Sequence, residues 1–313
     1  MSTGFTFDFL KSNETDDQTD NVAKSQEKST ETEIFGWLTL DVKVNEYLDT
    51  EISFDDIQIS SDGESLSRVR ENHSTAPTLK NTDLVSGVYE GGLKLWECSI
   101  DLCRYLQESN LSIGGHILEL GCGHGLPACW ALKKACREVD TTEGLLGVCF
   151  SDFNKFVLQD VTIPNILLNT RLQAETLDDQ TKYISWLSHT VSLAYGDWNI
   201  LSKQLCSNAS NCPDTVPKDG RFDLILAAET TYSSSAAFDT AKLIAMHLKA
   251  GTGIALIATK RYYFGVGGGS DSLKDALSSL SSPDLSFDIE TLKVYDDGSS
   301  NIRELLKVSI RKR

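Results

Sequence analysis

The chain has 313 residues, 40% of them hydrophobic, and a formal net charge of −16. This length and apolar content suffice for one sizeable core with additional material around it. We do not expect so acidic a chain to bind nucleic acid directly, because such binding depends on Lys and Arg that neutralise phosphates. No apolar run approaches the ~18–20 residues of a membrane-spanning helix. The N-terminus lacks the basic and apolar regions of a secretory signal. We therefore expect no membrane association.

Eight cysteines are scattered singly along the chain. They form neither a CxxC metal pair nor the framework of a small disulfide-rich protein, and several occupy apolar, core-like positions. No two histidines have the spacing of metal ligands, so no metal site is expected. These features are typical of a reduced, intracellular protein, and we expect it in the cytoplasm and nucleus.

The negative charge is concentrated in the first quarter of the chain. Residues 1–75 contain 17 acidic and 6 basic residues, a net charge of −11. Within them, residues 10–33 are polar and nearly free of large apolar side chains, so residues 1–33 are predicted to be a disordered acidic tail. Such a tail either keeps the protein soluble or attracts a basic partner. Charge pattern alone favours the first role.

Residues 34–82 are predicted to be an N-terminal extension and linker. Ile34–Ile59 contains alternating apolar and polar residues that suit short strands. Ser60–Thr82 is polar and is predicted to be a linker. From residue 83 to 313 strand and helix patterns alternate, which defines the main domain.

The first strand of that domain leads into an unusual glycine pattern. Trp96–Gln107 has helical apolar spacing, and His116–Leu120 is a buried strand. The strand is followed by Gly121, Gly123 and Gly125, then by a helix over Leu126–Arg137. A strand, a glycine loop and a helix present backbone N–H groups to a polar ligand. The spacing is not the G-x-G-x-x-G of dinucleotide-binding proteins, and Glu119 before the first glycine points toward S-adenosylmethionine.

The rest of the domain continues the alternation and predicts the fold. Further strands are expected at Gly147–Ser151, Val191–Tyr195, Phe222–Ala227, Gly253–Ala258, Phe287–Tyr295 and Glu304–Arg311. Helices are expected at Lys155–Asn169, kinked by Pro164, and at Ser235–Lys249, and a loop at Lys203–Gly220. We predict an α/β fold with a doubly wound, mostly parallel sheet, and an antiparallel hairpin at the C-terminal edge.

Polar residues or glycines follow each of the first four predicted parallel strands. Ligands of open α/β sheets bind at the carboxyl ends of the strands. An acidic residue after the second strand can accept both ribose hydroxyls. A carboxylate after the third can accept from an adenine amino group, and Glu119 can pair with the amino group of a methionine moiety. The groups are Glu119, Gly121 and Gly123; Asp152 and Asn154; Gly196, Asp197 and Trp198; and Glu229.

The segments around these strand ends resemble those of the histidine protein methyltransferases, which are class I, seven-strand S-adenosylmethionine-dependent enzymes. The resemblance rests on Gly87–Ser99, Phe150–Asn154 with Val161–Asn165, Leu224–Tyr232 and Lys260–Gly269, and it covers about residues 83–313. It implies a seven-strand sheet and S-adenosylmethionine as cofactor. It also adds Trp96, Glu97 and Ser99 to the cofactor site.

The resemblance implies transfer of a methyl group to the tele ring nitrogen of a histidine in a large-subunit ribosomal protein. The partner is then a basic ribosomal protein or pre-ribosome, and we expect a monomer. Neutral imidazole is already nucleophilic near neutral pH, so alignment matters more than a strong base. Glu229 is the candidate catalytic acid and Tyr232 a candidate wall of the acceptor pocket. Lys260–Gly269 is a candidate mobile loop over the acceptor.

Two other functions fit the same residues. A lysine methyltransferase of this fold often carries an acidic-x-x-Tyr motif after the fourth strand, and Glu229–Tyr232 fits it loosely. A non-catalytic, cofactor-binding ribosome-assembly factor is the second alternative.

Overall fold

The structure is a computed structural model that describes residues 35–38, 40, 44, 47, 52–70, 85, 88–109, 111–137, 144–170, 180–207, 212–296, 298 and 302–311. All of them belong to one compact unit, Glu33–Arg313. The predicted acidic tail, residues 1–33, and residues 71–82 of the predicted linker lie outside the described residues.

Strands and helices alternate as the sequence predicts. The strands of the described segments are β1 (Phe35–Leu38), β2 (Phe54–Gln58), β3 (Ser65–Val69), β4 (Gly115–Leu120), β5 (Leu145–Asp152), β6 (Val191–Gly196), β7 (Leu224–Ala228), β8 (Ile254–Lys260), β9 (Phe287–Tyr295) and β10 (Arg303–Ile310). The helices are α1 (Glu97–Glu108), α2 (Leu126–Arg137), α3 (Lys155–Val157), α4 (Ile163–Thr170), α5 (Gln180–Thr190), α6 (Trp198–Cys206), α7 (Ser234–His247) and α8 (Ser270–Leu280). Helices α5, α6 and α8 were not predicted, and α6 extends into the predicted loop Lys203–Gly220.

The main sheet has the strand order β1-β6-β5-β4-β7-β8-β10-β9. Strands β6, β5, β4, β7 and β8 are parallel to one another, whereas β10 and β9 form an antiparallel pair at one edge. Side chains alternate between the two faces: Ile117 packs in one core cluster with Leu102 of α1, and Leu118 in the other with Ile244 of α7. The prediction of a doubly wound, mostly parallel sheet with an antiparallel C-terminal hairpin is confirmed.

The sheet has eight strands, so the expected number of seven is wrong. The additional strand is β1, from the N-terminal extension, which pairs antiparallel with β6 from Phe35 opposite Gly196 to Leu38 opposite Leu193. An open sheet leaves unpaired N–H and C=O groups along its edge, and β1 satisfies those of β6.

A second, two-stranded sheet is formed by β2 and β3. Strand β3 falls in the stretch predicted to be a linker, so the linker prediction is wrong for residues 65–69. The Oδ1 atoms of Asn169 and Asn165 in α4 accept from the backbone N–H groups of Ser67 (2.9 Å) and Val69 (2.6 Å). Lys133 of α2 forms an ion pair with Glu64 at 3.0 Å. Parts of the extension thus pack on the helices of the main domain.

The predicted helix Lys155–Asn169 is interrupted, as its proline suggested. A π-helical turn, Leu158–Thr162, separates α3 from α4, and Pro164 is the second residue of α4. Proline lacks the N–H of a continuous α-helix and is tolerated in a first turn.

None of the helices among the described residues is long and apolar enough to cross a membrane. All eight cysteines are free thiols.

Candidate active site

A cleft of about 320 Å³ opens at the carboxyl ends of the central strands. Each predicted strand end contributes a lining residue: Gly121 after β4, Asp152 at the end of β5, Asp197 after β6 and Glu229 after β7. The volume lies within the range of small-molecule and cofactor sites, which is roughly 300–1,000 Å³. The structure therefore brings together four positions that are far apart in the sequence.

The glycine loop forms the floor of the cleft. Gly121, Gly123 and Gly125 have φ values of 55°, 50° and 65°, a left-handed conformation that side-chain-bearing residues rarely adopt. A Cβ on Gly123 would lie 3.2 Å from the carbonyl oxygen of Gly92. The loop is therefore glycine-rich for two reasons, its backbone conformation and its close contact with the segment before α1.

Asp152 joins the glycine loop to the end of β5. Its Oδ2 accepts from the Gly123 N–H at 2.9 Å, and its Oδ1 accepts from the Asn154 N–H at 3.0 Å. Burial raises the pKa of Asp152 to about 6, although these hydrogen bonds favour the ionised carboxylate. Asp152 is thus held at the cleft wall with its carboxylate beside the loop.

Glu119 lies beneath the cleft and is absent from its lining. Its Oε2 accepts from the backbone N–H of Ala128 in the first turn of α2 at 2.9 Å. The side chain is 2% exposed, and burial raises its pKa to about 8. The position suits support of the glycine loop from below. The predicted pairing of Glu119 with an amino group of the ligand stays a prediction.

The residues after β6 divide between the cleft and the sheet. Asp197 and Trp198 line the cleft. Asp197 also caps α6, because its Oδ1 accepts from the N–H groups of Asn199 (2.8 Å) and Ile200 (3.2 Å). Gly196 has a φ of 113° and pairs with Phe35 of β1, outside the described lining.

Two further predicted residues lie just outside the lining, whereas Trp96 and Ser99 belong to it. Asn154 is buried; its Oδ1 accepts from the Glu90 N–H at 3.1 Å and its Nδ2 donates to the Val88 carbonyl at 2.8 Å. It thereby fixes the segment before α1 against β5. The Glu97 carboxylate is more than half exposed and lies 4.0 Å from Lys260 Nζ.

Glu229, directly after β7, has the features of a ligand-facing carboxylate. Its φ is +58°, the only positive value at a non-glycine position within the described segments. The side chain is 8% exposed, and its Oε1 is buried without a hydrogen bond to the described residues. The Oγ1 of Thr230, also in the cleft wall, is buried and unpaired in the same way. Strained backbone and unsatisfied buried polar atoms are both typical of functional sites.

Tyr232, the second predicted catalytic residue, lines the cleft near Asp152. Its hydroxyl donates to the Glu90 carboxylate, which belongs to the segment before α1. Burial and the Glu90 carboxylate raise the pKa of Tyr232. The phenol is therefore neutral and acts as a hydrogen-bond donor across the cleft.

Several lining residues were not assigned to the site from the sequence. They include Glu90, Gly91, Gly92, Lys94, Cys122, Asn199, Thr230, Ser233 and Asp239. The first four fall in the segment Gly87–Ser99, which the sequence singled out. A Cβ on Gly92 would lie 2.8 Å from Val157 and 3.2 Å from the Asp152 carboxylate, and this proximity explains the glycine. The pair Gly91 and Gly92 shortly before α1 was the sequence signal that could have identified this segment as part of the site.

The glycine-rich segment after β8 is packed against the residues that follow β7. Gly268 and Gly269 are buried, and the Gly269 N–H donates to the Thr231 carbonyl at 2.8 Å. A Cβ on Gly268 would lie 2.1 Å from that carbonyl oxygen. These glycines permit close backbone packing, which differs from the flexibility that motivated the loop prediction. Closure of the segment over an acceptor stays a prediction.

His124, inside the glycine loop, is a structural residue. Its Nε2 lies 3.0 Å from the Leu93 carbonyl oxygen, and the Asn165 Nδ2 donates to its backbone carbonyl at 2.8 Å. The ring is 3% exposed. Within the described residues no group of His, Cys, Asp and Glu is arranged to hold a metal ion.

The chain matches no protein-family model. Over 232 residues it is 35% identical to the histidine protein methyltransferase 1 homolog of Dictyostelium discoideum, covering 74% of this chain and 62% of that protein. It is 31% identical over 237 residues to the Bos taurus homolog, covering 73% of this chain and 58% of that protein. With histidine protein methyltransferase 1 of Schizosaccharomyces pombe the identity is 34% over 201 residues, covering 59% and 56%.

The chain thus spans about three fifths of the length of these relatives. Magnesium protoporphyrin IX methyltransferase from Synechocystis, solved with bound SAH, aligns with a TM-score of 0.39 and 11% identity, covering 69% of this chain and 82% of that chain. The predicted resemblance of this chain to the histidine protein methyltransferases is confirmed by the relatives of that name.

Proposed function

We propose that the chain is an S-adenosylmethionine-dependent protein methyltransferase that methylates the tele nitrogen of a histidine in a large-subunit ribosomal protein. Relatives named histidine protein methyltransferase support the reaction. The observation that carries the proposal is Glu229 Oε1 in the cleft wall, which is buried and ion-paired with Lys260 at 3.7 Å but accepts no hydrogen bond from the described residues. A buried acceptor without a hydrogen bond is costly, and a ligand N–H would supply one.

The residues of the cleft fit the proposed cofactor. Gly121 and Gly123 leave space at the end of β4 that a side chain would fill, and Asp152 offers a carboxylate at the end of β5. Trp198 provides an aromatic surface beside Gly121, whose Cβ would lie 3.5 Å from the ring. When bound, S-adenosylmethionine supplies a methyl group activated by its sulfonium.

The residues of the chain mainly align the acceptor and exclude water. A neutral imidazole has one nitrogen with a lone pair and one N–H, and its pKa near ~6.5 leaves much of it neutral at pH 7. Glu229 Oε1 would accept the N–H, which leaves the lone pair of the other nitrogen free to attack. The carboxylate would also stabilise the cation that forms during methylation, as a carboxylate bonded to the N–H of a catalytic or metal-binding imidazole does.

Charge and exposed apolar side chains support a basic protein segment as the acceptor. Among the described lining residues, five are acidic, namely Glu90, Asp152, Asp197, Glu229 and Asp239. Tyr262, Phe264 and Val266, on the glycine-rich segment after β8 that packs against the residues following β7, are 54%, 79% and 52% exposed. Exposed apolar residues beside a cleft are typical of a surface that binds protein.

We further propose that the protein works as a monomer in the cytoplasm and nucleus. A ribosomal protein is accessible in both compartments during its synthesis and assembly.

The test is methylation of large ribosomal subunits purified from cells that lack the protein, with S-adenosylmethionine carrying a labelled methyl group. Acid hydrolysis should release labelled tele-methylhistidine, and mass spectrometry should locate it in one ribosomal protein. Gly121→Arg, which blocks the cleft, is the matched inactive control. Labelled methyl-lysine would instead support the lysine methyltransferase alternative. Cofactor binding without any labelling would support the ribosome-assembly alternative.

A further inference from the structure

Glu229 is held from behind by a chain of buried hydroxyl groups. The Tyr263 hydroxyl donates to Glu229 Oε2. The same hydroxyl lies 3.3 Å from Thr259 Oγ1, which in turn lies 2.5 Å from Thr231 Oγ1. Thr231 and Thr259 are both fully buried. These contacts occupy one carboxylate oxygen of Glu229 and leave the other, Oε1, for a ligand.

The backbone around Glu229 also needs this support. A non-glycine residue with φ near +58° is strained, and such strain persists only where the surroundings fix it. The Glu229 N–H donates to the Ala258 carbonyl at 2.9 Å, and the Tyr263 bond fixes the side chain. The orientation of the carboxylate therefore depends on a residue 34 positions later in the chain.

Lys260 completes the surroundings of this carboxylate. Its Nζ lies 3.7 Å from Glu229 Oε1, and its side chain is 14% exposed. The same ammonium lies 5.4 Å from the centre of the Trp96 ring and 5.5 Å from that of Tyr263. The two rings hold the Lys260 ammonium by cation–π contact. Oε1 therefore has a charged neighbour at 3.7 Å but no hydrogen bond.

We infer that Tyr263 is a positioning residue that fixes which ring nitrogen of the acceptor histidine is methylated, an inference that rests on the proposed function. With Tyr263 bonded to Oε2, Oε1 is the carboxylate oxygen that lacks a hydrogen bond, so it accepts the imidazole N–H and the ring has one preferred orientation. The opposite nitrogen forms the new N–CH3 bond as the methyl–sulfur bond breaks and its electron pair stays on sulfur. The proton on the first nitrogen then leaves to water through Glu229.

Tyr263→Phe tests this inference because it removes the hydroxyl and keeps the ring. Tyr295→Phe is the matched control: it also deletes a half-buried hydroxyl, which donates to the Asp101 carbonyl at 3.3 Å, away from the cleft. On large ribosomal subunits, Tyr263→Phe should lower kcat about 10-fold or more, as expected for a lost hydrogen bond to a charged group. It should also produce pros-methylhistidine that the wild type does not, and Tyr295→Phe should do neither. The affinity for S-adenosylmethionine should change less than about twofold, because Tyr263 is outside the described cleft lining.

A double-mutant cycle with Glu229→Gln separates positioning from a general loss of structure. Once Glu229 is Gln, adding Tyr263→Phe should lower kcat less than about twofold further, because the hydroxyl acts through the carboxylate. The urea midpoints of the four proteins, measured without cofactor, should likewise be non-additive.

The outcomes distinguish the two proposals. A wild-type rate and a single tele product from Tyr263→Phe would overturn this inference and leave the proposed function standing. Independent, multiplicative effects in the cycle would overturn it as well. If the wild-type protein methylates no histidine, the proposed function fails, and the inference fails with it.

Discussion

The hydroxyl of Tyr232 donates to the carboxylate of Glu90, joining two residues 142 positions apart. Tyr232 follows β7 and Glu90 precedes α1, and both side chains line the cleft. The bond therefore links the wall built by the parallel sheet to the wall built by the segment before α1.

Tyr232→Phe should weaken S-adenosylmethionine binding about 3- to 10-fold, because the loss of a hydrogen bond to a charged group lets the two walls separate. Isothermal titration calorimetry measures the effect. Tyr295→Phe should bind the cofactor as the wild type does. An unchanged dissociation constant for Tyr232→Phe would show that the bond does not shape the cofactor site.

Gly121→Arg should abolish cofactor binding, with affinity reduced more than about 100-fold by direct overlap. Gly121 has a φ of 55°, and its added Cβ would already lie 3.2 Å from Thr230. Gly63→Arg is the control, since Gly63 also has a positive φ, of 96°, but no atom lies within 4 Å of its Cβ. If both variants lose cofactor affinity to a similar extent, the loss comes from backbone strain and not from overlap in the cleft.

Cofactor affinity should depend on pH through Asp152. Burial raises its pKa to about 6, and ligand hydroxyls bind the ionised carboxylate. The affinity should therefore be constant above about pH 7 and fall as the pH drops through 6. Calorimetry from pH 5 to 8 measures this profile, and Asp152→Asn should bind more weakly with a flat profile. A profile for Asp152→Asn that parallels the wild type would assign the titration to another group.

Stability should depend on pH through Glu119. Its folded-state pKa is raised by burial from 4.5 to about 8, so folding favours the protonated carboxyl. Its contribution to stability is complete below pH 4.5 and is lost as the pH rises to about 8. Relative to Glu119→Gln, the free energy of unfolding of the wild type should fall over this window by up to about 1.4 kcal/mol per pH unit. Urea unfolding at several pH values measures the difference between the two proteins. A difference that stays constant from pH 4.5 to 8 would show that folding does not raise the pKa of Glu119.

Gly268→Ala should destabilise the protein by about 1–3 kcal/mol or more through overpacking. The new Cβ would lie 2.1 Å from the Thr231 carbonyl oxygen and 2.4 Å from the Tyr232 carbonyl carbon. Gly265→Ala is the control. Gly265 has a φ of 80° and no atom within 4 Å of an added Cβ, so the substitution strains the backbone without a steric overlap. Urea unfolding should show a larger loss at residue 268. Equal losses would argue against close packing at Gly268.

The strands and helices that carry the cofactor site were predictable because their signals are local. Helix α2 begins and ends where the sequence placed it, and β9 also has its predicted bounds. Apolar periodicity and glycine positions depend only on residues close in the sequence, so they can be recognised without knowledge of the fold. Strand β1 was predicted only as part of a stretch suited to short strands, and β3 was not predicted, because their partners, strand β6 and helices α2 and α4, are distant in the chain.

The sequence by itself determined the doubly wound sheet, the glycine loop and the carboxylates at successive strand ends, because parallel strands deliver their carboxyl ends to one edge. The tertiary structure alone decided which of those groups face the cleft. It turned Glu119 toward the α2 backbone, where Ala128 is its partner, and it left Glu229 Oε1 without a hydrogen bond, because Tyr263 bonds the other oxygen. It also brought Glu90 opposite Tyr232. Such partners are chosen by the packing of whole elements, which no local pattern encodes.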